Sequence, residues 1–179
     1  MKDDKVKSIL VVLDRGITSI DDFLSQIANF QQEGCKVVIV ASSLAAESYD
    51  LDSLKSSDLN VWTEFSIKGE VIQQLLKNAD VILVPVLSLA IMAKLVLGIS
   101  DTPISCLLEQ ALFEGKTVLA ADEDYPAGQS TYAYYLGQKA AEYRRALQEI
   151  GVALVPINQI SSMIAGQKVS VFFHRLAGQ

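Results

Sequence analysis

The stretch ADVILVPVLSLAIMAKLVLGISD, from Ala79 to Asp101, decides the fold. Between Asp80 and Ser100 its only charge is Lys94, so by hydropathy alone it passes for a membrane span. Pro85 and Ser88 interrupt it. Proline removes a backbone donor, serine caps helix starts, and a glycine such as Gly98 suits a helix end. The stretch therefore divides into a strand over Val81–Pro85, a turn, and a helix from Ser88 to Leu97. A lipid-spanning helix needs about 20 continuous apolar residues. Neither piece has them, and the expectation is a cytoplasmic protein without a membrane span.

Outward from this unit the same alternation repeats. KSILVVL (Lys7–Leu13) and KVVIVA (Lys36–Ala41) are continuous β-rich runs, as expected for strands covered on both faces. Between them Ile20, Phe23, Leu24, Ile27 and Phe30 keep the spacing of one helix face, ending before Gly34. VWTEF is a candidate short strand, and Val71, Ile72, Leu75, Leu76 and Ala79 mark another helix face. Thr102-Pro103 opens a helix with Gly115 just past its end. KTVLAA is a strand, Ser130–Ile150 a long helix, and VALVP a last core strand, with KVSVFFHRL as a further strand or extended arm. Such alternation predicts an α/β, Rossmann-like (flavodoxin-like) three-layer fold, a parallel sheet with helices on both faces. The 179 residues suit a single domain over 1–179.

The formal net charge of −6 opposes nucleic-acid binding, which needs a positive field. Arg144-Arg145 reads as a solvated helix face. Cys35 and Cys106 have no CxxC spacing, and His174 is the only histidine, so no metal site is expected and the thiols read as core residues.

Ligands of open α/β sheets bind beyond the carboxyl ends of the strands. Four loops fall there: DRGITS (Asp14–Ser19), ASSLAA (Ala41–Ala46), VPVLSLA (Val84–Ala90) and AADEDYP (Ala120–Pro126). The first three are rich in small and hydroxyl residues, which permit close backbone approach to an anion. Asp21 and Asp22 oppose a phosphate at the first loop, whereas the helix after Ser88 has no acid near its start and carries Lys94. Ser88 reads equally as a plain N-cap or a ligand contact, Gly16 as a tight-turn residue or a ligand contact, and Ser42-Ser43 as a strand-end cap or a ligand contact.

The order of motifs resembles the flavoprotein family that includes phosphopantothenoylcysteine decarboxylase, the lantibiotic peptidyl-cysteine decarboxylases and the second subunit of dipicolinate synthase. The similarity covers about residues 6 to 125. Family members look like ILLGVTGSIAAYK at the first loop and AD-(apolar strand)-PxSANTxAKxAxGxxDNLLS at the third. Here Ala79, Asp80, Ser88, Ala93, Lys94, Gly98, Asp101 and Ser105 fall in that register. The resemblance implies FMN held between subunits of a homo-oligomer, a trimer or a multiple of one. By position, the flavin contacts would come from Gly16, Ile17, Thr18, Ser42, Ser88, Ala90 and Ile91.

The departures bear on chemistry. The family's Asn-Thr pair becomes Ala90-Ile91, and the family's catalytic His falls near Ile72. The substrate-clamping PAMN becomes Asp122-Glu123-Asp124-Tyr125, whose acids repel a carboxylate. The resemblance thus implies an FMN-binding flavoprotein that is not a decarboxylase, with a redox or accessory role in a metabolic pathway or microcompartment. The alternatives are a structural or regulatory subunit without flavin, for which Tyr132, Tyr134, Tyr135 and Tyr143 supply an interface or simply pack, and a synthase subunit active only with a partner chain.

Overall fold

The structure is a computed structural model and describes residues 8–15, 20–49, 59–122 and 128–165. Six strands form one all-parallel sheet among these residues: β1 (Ser8–Leu13), β2 (Lys36–Ala41), β3 (Asn60–Thr63), β4 (Val81–Val84), β5 (Thr117–Ala121) and β6 (Val152–Val155). Their spatial order is β3-β2-β1-β4-β5-β6. The chain winds outward from β1 to one edge, then returns to β4 on β1's other side and proceeds to the opposite edge. Leu10 pairs with Val38 on one side and Ile82 on the other.

The helices are α1 (Ile20–Gln32), α2 (Ser43–Ser48), α3 (Gly69–Asn78), α4 (Leu89–Leu97), α5 (Pro103–Phe113), α6 (Thr131–Glu149) and, after a single 3-10 turn, α7 (Ile160–Ala165). Side chains alternate across a strand, so β1 feeds both layers. Ile9, Val11 and Leu13 meet Phe23, Ile27 and Phe30 of α1, Ala45 of α2, and Ile160 and Ile164 of α7. Leu10 and Val12 face the other layer, with Ile72 and Leu76 of α3, Ile91 and Met92 of α4, Ile104 and Leu107 of α5, and Leu147 of α6. Two cores back to back make the expected three-layer fold. Double coverage is why β1 and β4 read as unbroken apolar runs; every residue of β4 is buried, whereas the edge strand β3 has none buried.

The opening stretch folds back as read. Ser88 Oγ accepts the Ile91 N–H at 3.2 Å, and Gly98 closes α4 at φ 66°, a left-handed conformation that costs glycine nothing sterically. Thr102 and Ser105 then form a reciprocal capping box with Pro103 in the first turn of α5. No helix among the described residues is long and apolar enough to cross a membrane.

Three expectations need correction or completion. ASSLAA is not a plain loop, because Ser42 caps the short helix α2 by accepting the Ala45 N–H at 3.0 Å. Arg144 is not part of a solvated face; its guanidinium turns inward to Asp122 after β5. The tyrosines of α6 divide: Tyr143 packs against the α3–α6 core, while Tyr132, Tyr134 and Tyr135 are exposed. KVSVFFHRL, with His174, lies outside the described residues, as do Gly16, Ile17, Thr18 and Ser19.

Candidate functional site

The sheet reverses direction of growth between β1 and β4, and the crevice beyond their carboxyl ends is where such folds take ligands. β1 ends at Leu13, so Asp14 is the first residue past the pleat. β4 ends at Val84, and four residues later Ser88 starts α4. The two meet: the Ser88 N–H donates to Asp14 Oδ2 at 3.2 Å. The β2 end joins them from the other side. Ser42 N–H donates to the Leu13 carbonyl at 2.8 Å, and Ser42 Oγ donates to the Asp14 carbonyl at 2.5 Å. Three strand ends far apart in sequence are thereby locked around one acidic residue.

Asp14 and Ser42 are each only 7% exposed. Burial pushes the Asp14 carboxyl above its ordinary 3.8, because a low-dielectric site disfavours the charged form; hydrogen bonding from Ser88 and the charges of Arg15 and Lys94 oppose that shift without cancelling it. Sequence reading placed Asp14 only as the first letter of a loop. The available signal was a charge directly following an entirely apolar run.

Further along the same edge, Glu64 follows β3, and its Oε1 accepts both the N–H (2.7 Å) and the hydroxyl of Ser43. Asp122 follows β5; its N–H donates to the Val155 carbonyl at 2.8 Å, and its Oδ1 lies 3.5 Å from Arg144 Nε. Glu123, Asp124 and Tyr125 lie outside the described residues.

Of the residues singled out in the sequence, Ser42, Ser88, Ala90 and Ile91 are brought to the β1, β2 and β4 ends or the first turn of α4. Ala90 is exposed there. Ile91 differs: its side chain is in the core, and its N–H is held by Ser88 Oγ. The first N–H groups of any helix lack partners within it. At α4 these include the Leu89 and Ala90 N–H groups, and no acid stands in that first turn. Arg15 and Lys94 are close enough to act on Asp14, so the α4 start offers an anion free donors and local cations, with the Asp14 carboxylate set against it among the described residues. No group of three or more His, Cys, Asp or Glu residues arranged for a metal occurs among the described residues.

A cavity of about 500 Å³ lies at the opposite, amino edge of β1–β3, against α3. Among the described residues Lys36 is the only charged one lining it, with Asn60, Trp62, Gln74 and Asn78 among the others. Its described lining gathers no converging titratable groups.

A parallel sheet of this order, with helices on both faces and a switch point between β1 and β4, defines the Rossmann-like, flavodoxin-like class of α/β domain. Within that class the chain belongs to the Flavoprotein family, whose model matches residues 2–169. Similar solved structures include the FMN-dependent cysteine decarboxylase TvaF of thioviridamide biosynthesis (16% identity, TM-score 0.70, covering 92% of this chain and 98% of that one). A PPC decarboxylase mutant has 20% identity, TM-score 0.66, and coverage of 94% and 99%. The apo form of DmrB from Burkholderia xenovorans, described as a cubic protein cage for redox transfer, has 14% identity, TM-score 0.71, and coverage of 96% and 99%. At these identities the structures share the fold. No curated protein matches the sequence.

Proposed function

We propose that this chain binds FMN at the carboxyl edge of β1, β2 and β4, in a homo-oligomer, and serves a redox or accessory role without decarboxylating a cysteine substrate. The observation that carries the reading is the junction of Asp14, Ser42 and Ser88 at the switch point of a Flavoprotein-family domain. Ser42, Ser88 and Ala90, together with Gly16, Ile17 and Thr18, are the proposed contacts, and Ile91 contributes by supporting α4 from the core. When bound, the isoalloxazine ring supplies hydride and electron transfer with little help from side chains. The protein's share is to hold the phosphate at the α4 start and shield the ring.

Against decarboxylation, the family's histidine falls by register near Ile72, a core residue buried in α3 that carries no proton-transfer group. Self-association is supported by exposed apolar side chains: Leu97 ending α4 and Ile99 just beyond it, Phe113 ending α5 at 93% exposure, and Tyr132, Tyr134 and Tyr135 on α6. A trimer, or a multiple of one, is the proposed state.

The test is an absorbance spectrum of the purified chain, followed by titration with FMN. Flavin bands, or saturable binding abolished by Ala90→Trp, support the reading; Ala90 is exposed, so that variant should fold. A colourless protein that ignores FMN overturns it. That outcome favours a second reading, a structural or regulatory subunit that kept the fold, for which the observation is the Asp14 carboxylate already on the Ser88 N–H.

A further inference from the structure

Among the described residues, Asp14 is the acid that the fold drives into the switch point itself. Its carboxylate is held at the Ser88 N–H, a donor belonging to the same helix start that would receive a phosphate. The cations bearing on it are Arg15, next in the chain, and Lys94 on α4, which is tied to Asp101 at 2.7 Å. Along the edge, Glu64 is engaged by Ser43, and Asp122 by Arg144. Lys94 is therefore not devoted to an incoming ligand.

A phosphate monoester carries about −1.5 to −2 charge near neutral pH. Two like charges sharing a site disfavour each other's ionised form, and one of them takes a proton. We propose that Asp14 makes this site charge-selective: it admits the phosphate ester of a flavin together with one proton taken up on its own carboxyl, and admits the neutral, unphosphorylated flavin without that proton. The inference rests on the flavin reading above. In the balance, the phosphate group enters, Asp14 changes from carboxylate to carboxylic acid with the proton drawn from solvent, and no bond to the flavin forms. The protonated carboxyl keeps a carbonyl oxygen for the Ser88 N–H, so the joint between β1 and β4 survives. Burial already biases Asp14 toward this form.

The test is calorimetric titration of the whole chain with FMN and with riboflavin, in two buffers of different ionisation enthalpy. FMN should take up about one proton more than riboflavin, and its affinity should rise about tenfold for each unit fall in pH while free Asp14 is ionised. Asp14→Asn should lose the extra proton and raise the ratio of FMN to riboflavin affinity about tenfold on the alkaline side of neutrality. Equal proton uptake for the two flavins, or no rise in that ratio for Asp14→Asn, overturns the inference and leaves flavin binding intact. Absence of binding by either flavin to either protein overturns the flavin reading, and this inference with it. Should Asp14→Asn fail to fold, the proton count on the unaltered chain decides.

Discussion

Lys94 Nζ lies 2.7 Å from Asp101 Oδ1, so the cation of α4 bridges the left-handed turn at Gly98 to the residue just before the α5 cap. The hydrogen bond from Lys94 holds the Asp101 carboxyl below its ordinary 3.8. A carboxyl lowered by folding contributes stability that is present above the unfolded value and lost as pH falls through the folded one. Lys94→Met should return Asp101 toward its ordinary value in a carboxyl-resolved NMR titration. Asp101 is exposed, so the stability change should be small and should vanish in high salt. An Asp101 titration indifferent to Lys94→Met would show that the pair is not formed in solution.

Gly98 offers a cleaner energetic test. At φ 66° it adopts a conformation disfavoured for side chains with a Cβ, yet a Cβ there would meet nothing within 4 Å. Any cost of Gly98→Ala is therefore conformational and not a clash. The expected loss is about 1–2 kcal/mol, read as a lower urea midpoint with unchanged slope. A change in slope would instead report a different unfolded state, and no loss would mean that α4 ends elsewhere.

Of these two features the Gly98 cap was legible in sequence because it is local, whereas Lys94 was read as a cation for an anion and not as the partner of Asp101. Ser88, Lys94, Gly98 and Asp101 lie within one short window, where capping chemistry and family register coincide. The strands were legible for a related reason: burial on both faces erases alternation and leaves the continuous runs of β1, β2 and β4. α2 escaped because six residues are too few to display a helical period, although Ser42 carried the cap signal. The Asp14–Ser88 bond could not be read, since 74 residues separate its partners and only the placing of β4 beside β1 brings them together. Arg144 was misread for the same reason, its acid Asp122 standing on a strand end beyond the reach of helix periodicity.

Tyr49, which ends α2, packs its ring against the α1 core, and its hydroxyl is buried with no hydrogen-bond partner among the described residues. Burial pushes its pKa up to about 12. Removing an unsatisfied buried hydroxyl is close to neutral or stabilising, so Tyr49→Phe should change the thermal midpoint little or raise it. The proton binds more tightly in the folded state, so the unaltered protein should lose stability as pH rises from 10.0 toward 12. The Phe variant should lack that component. A clear destabilisation by Tyr49→Phe would reveal a partner for the hydroxyl.

Asp14 has the opposite linkage to Asp101 and predicts a pH signature without any ligand. Folding raises its pKa above 3.8, so the folded state holds the proton more tightly than the unfolded chain. The resulting stability is fully present below 3.8 and is lost as pH rises through the folded value. Asn at this position can still accept the Ser88 N–H but cannot ionise. The difference in stability between Asp14→Asn and the unaltered protein should therefore grow in the variant's favour across that window, then level off. Asp101 and every other titrating group are common to both proteins and cancel in the difference. Urea midpoints collected over a pH series measure it directly. Parallel curves would mean that Asp14 titrates alike in both states, so that the crevice between β1 and β4 is open to water and the carboxylate pays nothing for its place beside Ser88.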